Sequence, residues 1–308
     1  LVVVLGIVIC SMGLQNGLER ITKVMMLALL GIMVILAINS FTLEGAKEGL
    51  SFYLIPDFER MKEVGIGSTI VGAMNQSFFT LSLGIGAMAI FGSYIGKERS
   101  LLGESVNIAI LDTLVAITSG LIIFPACFTF HVDQTSGPSL IFMTLPNIFN
   151  NIPLGRVWGS LFFVFMAFAA FSTVLAVFEN IICCGMELTG WSRKKSSMIN
   201  LVAIILLSMP CVLGYNLWAS DIFAPFGGTI MDLEDFLVSN ILLPLGSLVY
   251  LLFCVTRYGW GWKNFKAEAN AGKGLKFHNW MRIYFTYILP LIVLFIFGFG
   301  IYDKFFAK

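Results

Sequence analysis

One apolar stretch of the sequence carries polar and glycine residues that could bind a cation. The run Asn75–Met88 reads NQSFFTLSLGIGAM, and its notable positions are Gln76, Thr80, Ser82, Gly84 and Gly86. Small residues in membrane helices often serve only to bring neighbouring helices into close contact. They also permit an interrupted helix, whose free carbonyls bind a cation while the exposed helix N-terminus attracts a carboxylate. Because an amide and two hydroxyls accompany the glycines, we favour the interrupted helix.

A carboxylate, Asp112, lies about two turns inside another apolar stretch, Val106–Phe130. A charged group near the centre of a bilayer costs about 3 kcal/mol on insertion scales, so it normally faces a cavity, a cation or a proton path. The alternative is an interfacial carboxylate close to a helix end, since the stretch could begin anywhere from Leu101 to Val106. We favour the functional carboxylate.

Two hydroxyls and two small residues form a stripe within the apolar stretch Val157–Met186. The stripe consists of Ala169, Ser172, Thr173 and Ala176. Their spacing of i, i+3, i+4 and i+7 places them on one face of a helix. Such hydroxyls commonly bond back to their own helix, but hydroxyls combined with backbone carbonyls also suit Na⁺, a hard cation. Glu179 continues this helix and Glu187 closes it.

Three acids, Asp232, Glu234 and Asp235, stand at the start of the apolar stretch Phe236–Val255. The helix macrodipole explains acids at a helix N-terminus. A gate carboxylate is the alternative.

The remaining reactive side chains do not suggest an enzyme. The histidines, His131 and His278, fall in loops without a second ligand at metal-binding spacing. The six cysteines fall in apolar stretches and lack the spacing of a zinc site or a disulfide framework. We expect no enzyme activity and no organic cofactor.

Composition indicates that these residues are positioned by membrane-spanning helices. Of 308 residues, 58% are apolar and 12% are charged, against roughly 45–50% and about 25% in soluble domains. Lipid offers no partner for a free backbone amide, so continuous apolar runs of about 20 residues must be helices. We predict an all-α, polytopic transmembrane helix bundle with one domain over residues 1–308. Its eight spans are Leu1–Leu14 (cut short), Val24–Phe41, Ile66–Tyr94, Val106–Phe130, Val157–Met186, Met198–Leu213, Phe236–Val255 and Ile283–Ile301.

The charged residues predict topology rather than a nucleic-acid partner, because the net charge is only +1. One set of alternate loops holds thirteen Lys and Arg residues, and the other set, with the C-terminal tail, holds six. The positive-inside rule places the first set in the cytoplasm. Two long outer segments, Glu44–Gly65 and His131–Arg156, have the length of functional lids. Since the chain opens within an apolar run without a signal peptide, we expect it to be truncated.

Several segments, in order along the whole chain, resemble the neurotransmitter:sodium symporter family. They are Asn75–Met88, GSYIGKE at Gly92–Glu98, LDTLVAITSGLIIFP at Leu111–Pro125, GPSLIFMTLPNIF at Gly137–Phe149, FAAFSTVLAVFEN at Phe168–Asn180 and GWSRKK at Gly190–Lys195. The resemblance implies an inverted repeat of five plus five helices, in which the first and sixth helices are unwound at the binding site. It also implies that this chain runs from the fourth to the eleventh helix of a bacterial, eleven-helix member, without the first three helices.

The resemblance also implies roles for individual residues. Thr80 and Asp112 match ligands of the family's first sodium site. The carbonyl of Ala169 and the hydroxyls of Ser172 and Thr173 match the second. Positions lining the substrate pocket are Phe79, Thr80, Ser82, Ile85, Val174 and Val177. Asp235 resembles the acidic half of an outer gate, and Glu187 the acidic half of an inner gate.

The implied function is sodium-coupled symport of a small neutral amino acid by alternating access in the cell membrane. Val174 makes the substrate pocket apolar, which favours a hydrophobic amino acid, and the fixed charge of Asp112 predicts independence from chloride. Each of two Na⁺ sites would be only partly present, so we expect that these 308 residues alone do not transport. The alternative is a non-transporting fragment or a regulatory membrane protein of the same family. The expected partners are the amino acid and the lipid bilayer, and the sequence does not indicate a protein partner.

Overall fold

The computed structural model describes residues 1–13, 19–131, 142, 145–151, 154–218 and 229–306. Over these residues the chain is helical and contains no strand, with one isolated bridge between Arg99 and Lys273. The helices are α1 (Val2–Ser11), α2 (Arg20–Ser40), α3 (Ala46–Leu54), α4 (Phe58–Val64), α5 (Ile66–Thr80), α6 (Ala87–Ser93), α7 (Leu101–Thr129), α8 (Leu145–Asn151), α9 (Gly155–Thr189), α10 (Arg193–Gly214), α11 (Ile230–Val255), α12 (Trp262–Ala269) and α13 (Met281–Phe305). Helix α11 contains a π-helical segment, Leu237–Leu242, and α13 contains another, Tyr284–Ile288.

Among the described residues, six helices are long and apolar enough to cross a membrane, namely α2, α7, α9, α10, α11 and α13. They confirm the prediction of an all-helical, multi-pass membrane protein. The predicted span Leu1–Leu14 contains the ten residues of α1, and Leu14 lies outside the described residues. The predicted span Ile66–Tyr94 is divided into α5 and α6. Most of the predicted outer segment His131–Arg156 also lies outside the described residues.

Helix α7 begins at Leu101, five residues before the predicted span. Its first two residues, Leu101 and Leu102, pack against a buried aromatic cluster that includes Trp262 and Phe277. Burial of apolar side chains stabilises this extra turn even though it lies next to charged residues. Asp112 is therefore eleven residues from the start of the helix, about 16 Å along its axis.

The helices form two compact units. The first unit comprises residues 1–57 and 113–201. Its core lies between α2 and α9 and includes Leu29, Met33, Leu36, Phe162 and Phe165. Helix α1 also packs against α9, where the thiol of Cys10 donates to the carbonyl oxygen of Leu175 at 3.6 Å. Helix α9 is thus the element on which this unit is assembled.

The second unit comprises residues 58–112 and 202–308. Helices α5, α11 and α13 pack around the buried residues Val71, Phe78, Leu243, Val293 and Ile296. A second apolar cluster, built on Val255, Trp262, Ala269 and Phe277, joins α12 to the end of α11 and the start of α7. This packing fixes the middle and the C-terminal end of α11 against its neighbours.

Candidate functional site

The chain leaves the helical conformation between α5 and α6. Residues 81–86 separate the two helices, so the predicted interruption is confirmed. The Ser82 N–H donates to the Phe79 carbonyl at 3.1 Å, and the Leu83 N–H donates to the Phe78 carbonyl at 2.9 Å. This pair of bonds is the Schellman motif, which ends a helix with one residue in the left-handed conformation. Here that residue is a serine.

Three residues of the interruption have positive φ angles, 51° at Ser82, 84° at Gly84 and 85° at Gly86. Glycine adopts this conformation freely, but a residue with a side chain loses about 1–2 kcal/mol there. Phe78 and Leu83 pack in the core of the second unit, which is the apolar contact that accompanies a Schellman motif. Strained residues of this kind cluster at functional sites, so Ser82 supports the choice of this segment as a site.

Thr80 and Asp112 both belong to the second unit. Thr80 lies in the last turn of α5 and is exposed, as is Gln76 one turn earlier, whereas Asp112 is half-buried. Three of the last four carbonyls of α5 accept bonds from residues 81–83, and the fourth belongs to Thr80. Within the described part of the chain, neither the Thr80 hydroxyl nor the Asp112 carboxylate makes a hydrogen bond or an ion pair. Both keep their oxygens available for a cation.

The hydroxyls of Ser172 and Thr173 meet at the carbonyl oxygen of Ala169. The Ser172 hydroxyl donates to this oxygen at 2.8 Å and the Thr173 hydroxyl at 3.4 Å. All three predicted oxygens thus lie within one turn of α9, in the first unit. This is also the back-bonding that helical hydroxyls make by default. Because each hydroxyl oxygen retains acceptor lone pairs, the geometry is compatible with both interpretations, and the sodium site in α9 stays a prediction.

The predicted substrate-contacting residues differ in their surroundings. In the second unit Phe79 is 52% exposed, whereas Ile85 packs against the apolar core. In the first unit Val174 and Val177 are half-buried on α9. A Cβ atom at Gly6 of α1 would lie 3.7 Å from Cγ1 of Val174, so this valine contacts α1. Their role in a substrate pocket stays a prediction.

The structure explains one of the acids at the start of α11 by its position at a helix terminus. Asp232 forms a capping box with Thr229, whose hydroxyl accepts from the Asp232 N–H at 3.1 Å. The helix-terminus interpretation is therefore sufficient for Asp232. Asp235 is exposed and accepts from the Ser239 hydroxyl at 3.2 Å. Glu187 is exposed near the end of α9, and the gate roles of Asp235 and Glu187 stay predictions.

A cavity of about 370 Å³ lies in the second unit, between α5, α11 and α13. Asp232, Asp235, Asp303 and Lys304 contribute its charged side chains. Beside it, the Asn75 amide donates to Oδ1 of Asn240 at 3.1 Å and joins α5 to α11. Sequence reasoning missed this bond, because the two residues are far apart along the chain and each is an ordinary polar residue of its own helix.

Sequence reasoning also missed an ion pair inside the first unit. Glu179 is fully buried and forms a short ion pair with Arg193. The Arg193 guanidinium also donates to the carbonyl oxygen of Cys10 at 2.8 Å and 2.6 Å, and the Cys183 thiol donates to Glu179 at 3.3 Å. The signal for this pair was Glu179 itself, because a carboxylate within an apolar helix requires a partner.

Comparison with known proteins gives one family over the whole chain. The model of the sodium:neurotransmitter symporter family matches residues 1–305. The chain is 33% identical to the uncharacterized sodium-dependent transporter YhdH of Bacillus subtilis, over 95% of this chain and 64% of that protein. It is also 33% identical to an uncharacterized sodium-dependent transporter of Haemophilus influenzae, over 96% of this chain and 63% of that protein.

A solved structure agrees with the sequence comparison. The crystal structure of MhsT in complex with L-phenylalanine superimposes with a TM-score of 0.83 and 36% identity. The match covers 97% of this chain and 66% of MhsT. The chain therefore spans a little under two thirds of the length of the relatives it matches.

Proposed function

Because the chain belongs to the sodium:neurotransmitter symporter family, we propose that it carries sodium-binding and substrate-binding elements of a symporter. The family consists of transporters rather than enzymes, so the proposed activity involves no covalent step. The cargo that we propose is a small, neutral, hydrophobic amino acid. The observation that carries the proposal is the interruption of an apolar helix at residues 81–86, in a chain that matches the family from end to end.

Oxygen atoms in each unit suit sodium ions, which are cargo of the proposed symport. In the second unit the candidates are the hydroxyl of Thr80 and the carboxylate of Asp112. In the first unit they are the carbonyl of Ala169 and the hydroxyls of Ser172 and Thr173. Hard cations prefer oxygen ligands of these kinds. The 2.8 Å contact between the Ser172 hydroxyl and the Ala169 carbonyl oxygen places two of the proposed ligand oxygens next to each other on α9.

Apolar side chains near these oxygens favour a hydrophobic substrate. Val174 and Val177 follow Thr173 on α9, and Phe79 precedes Thr80 on α5. None of the three offers a hydrogen bond to a polar substrate side chain, and a buried polar group without a partner is costly. The similar protein MhsT was solved with L-phenylalanine, which supports the same substrate class here.

The proposed transport is driven by two sodium ions. Each charge that moves down a potential of 100 mV supplies about 2.3 kcal/mol, and a tenfold ion gradient adds about 1.4 kcal/mol for each ion. Two ions then supply about 7 kcal/mol, which corresponds to about 10⁵-fold accumulation of a neutral solute. Ions and substrate bind together near the middle of the membrane, and the helices then reorient to release them inside. We place the loops rich in Lys and Arg in the cytoplasm.

The test is uptake of labelled L-phenylalanine and L-leucine into proteoliposomes that hold the complete protein containing this chain. An inward Na⁺ gradient should drive uptake, and replacement of Na⁺ by K⁺ should abolish it. Ser172→Ala removes one proposed ligand and should raise the Na⁺ concentration for half-maximal uptake about tenfold, as for a lost interaction of about 1.4 kcal/mol.

Ser208→Ala is the matched control for this variant. The Ser208 hydroxyl also bonds to the carbonyl three residues earlier, Ile205, at 3.0 Å, but it lies on α10 outside the proposed site. We expect no change in the Na⁺ dependence of uptake. Uptake that does not respond to Na⁺, or equal effects of the two variants, would contradict the proposal.

A further inference from the structure

Two glycines distant in sequence bring the interruption and helix α11 into backbone contact. A Cβ atom at Gly246 would lie 2.9 Å from the carbonyl carbon and 3.1 Å from Cα of Gly84, and closer still to the Gly84 carbonyl oxygen. In the reverse direction, a Cβ atom at Gly84 would lie 2.7 Å from the Ser247 nitrogen. The missing side chain of Gly246 therefore leaves room for the Gly84 peptide, and the missing side chain of Gly84 leaves room for the α11 backbone at Leu243 and Ser247. The neighbouring atoms are backbone atoms, which cannot rotate away as a flexible side chain would.

Helix α11 also holds the helix that precedes the interruption. Its π-helical segment, Leu237–Leu242, contains Asn240, which accepts the hydrogen bond from Asn75 of α5 at 3.1 Å. One turn further on, Leu243 is 2% exposed and packs in the same core as Phe78. Along α11, Asn240 of the π-helical segment contacts α5. The residues that follow, Leu243 to Ser247, contact the interruption at Gly84. π-Helical turns frequently lie at functional sites.

We propose that Gly246 is a positioning residue for the interrupted segment, a role that rests on the proposed function. Because Gly246 has no side chain, the Gly84 peptide packs directly against the backbone of α11. The seated peptide fixes residues 81–86, and through them the carbonyl and hydroxyl of Thr80 and the hydroxyl of Ser82. Gly246 touches neither ion nor substrate in this proposal. It acts only by holding the backbone that does.

The size of the expected effect follows from the contact distances. The carbonyl oxygen of Gly84 is the atom nearest to a Cβ atom at Gly246, and non-bonded atoms in ordinary contact lie about 3.5 Å apart, so a methyl group there must displace the Gly84 peptide by about 1 Å. Misplacement of a binding group by 1 Å can cost about 10²-fold. Because the backbone between Gly84 and Thr80 takes up part of the shift, we expect Na⁺ binding to weaken about tenfold. The overall fold should persist, because the displaced segment already lies outside a helix.

The experiment compares Gly246→Ala with Gly298→Ala in the complete protein that contains this chain. Gly298 lies on α13 in the same unit, and a Cβ atom there would meet nothing within 4 Å. Two quantities are measured on purified protein, the Na⁺ concentration for half-maximal binding of labelled L-phenylalanine and the amide hydrogen exchange of the peptide covering residues 81–86 without Na⁺. Gly246→Ala should raise the first about tenfold and speed the second, while Gly298→Ala should change neither. Identical behaviour of the two variants overturns the proposal.

The two readouts separate failure of this proposal from failure of the proposed function. If the unmodified protein shows no Na⁺-dependent binding, the proposed function is wrong, and the exchange data still decide whether Gly246 seats the segment. A Gly246→Ala variant that does not fold would show that Gly246 is needed for the fold as a whole. That result would contradict a role limited to positioning residues 81–86 and would overturn the proposal.

Discussion

Ser82 holds a backbone conformation that glycine usually provides. Its φ of 51° falls at the position of the Schellman motif where glycine is commonest. A side chain there destabilises the fold by about 1–2 kcal/mol, so local stability alone would favour glycine. We attribute the serine to the predicted place of Ser82 in the lining of the substrate pocket.

The replacement Ser82→Gly should therefore separate stability from binding. Relief of the left-handed strain should stabilise the folded protein by about 1 kcal/mol, seen as a higher midpoint of thermal unfolding in detergent. Loss of the hydroxyl should weaken Na⁺-dependent binding of L-phenylalanine in the same sample. Leu154→Gly is the control, since Leu154 has a φ of 57° at the start of α9 and should gain stability without any change in binding. Unaltered binding by Ser82→Gly would contradict the role of the hydroxyl.

Helix α9 is held in the first unit by a charged contact as well as by apolar packing. Arg193, at the first position of α10, reaches both Glu179 on α9 and the Cys10 carbonyl at the end of α1. Three helices thus share one guanidinium group. Glu179 lies about two turns beyond Ser172 and Thr173, so this contact fixes the helix that carries two of the proposed ligands.

Breaking this ion pair should cost far more than breaking an exposed one. Glu179→Gln removes the fully buried carboxylate of the pair and with it the charge that balances Arg193, which should lower the free energy of unfolding by about 3 kcal/mol. The control is Glu104→Gln, which breaks the exposed pair of Arg99 and Glu104. The Arg99 side chain is 69% exposed, so loss of this pair should lower the free energy of unfolding by at most about 1 kcal/mol. Thermal unfolding of both variants in detergent provides the comparison. Equal losses in the two variants would show that the buried pair adds no more stability than the exposed pair.

The helices and the interruption could be predicted from sequence because their signals are local. Apolar run length identifies a membrane helix, and the glycines of 81–86 stand beside the polar residues that mark the break. The sequence left the start of α7 open between Leu101 and Val106, and the structure has it at Leu101. Leu101 and Leu102 are stabilised by residues around Trp262 that no local window includes. The contact between Gly84 and Gly246 and the pair of Glu179 with Arg193 likewise depend on packing between helices. A single sequence shows each residue of such a pair without showing that they meet.

At the scale of the whole molecule, the proposed sodium ligands are divided between the two compact units. Thr80 and Asp112 belong to one, whereas Ala169, Ser172 and Thr173 belong to the other. The division passes through α7 between Asp112 and Thr113, so one continuous helix contributes to both units. A substitution of a proposed ligand in one unit therefore leaves the proposed ligands of the other unit unchanged, and the effects of the two groups on Na⁺ binding can be measured separately.

Transport by the complete protein should not depend on chloride. The carboxylate of Asp112 already supplies a fixed negative charge near the middle of α7, where a cation would otherwise need a mobile anion to balance it. Uptake in sodium gluconate should equal uptake in sodium chloride at the same Na⁺ concentration. Asp112→Asn should lower Na⁺ affinity at least about tenfold in gluconate, given the loss of a full charge. Stimulation of the unmodified protein by chloride would refute the argument from Asp112.

The buried ion pair of Glu179 and Arg193 also bears on how the protein enters the membrane during synthesis. The two residues are fourteen positions apart, on opposite sides of the turn between α9 and α10. When α9 leaves the ribosome its carboxylate has no cationic partner, and on insertion scales a lone charge of this kind opposes entry into lipid by about 3 kcal/mol. The partner emerges only with the start of α10. We therefore expect the translocon to release α9 and α10 into the bilayer together, as a helical hairpin.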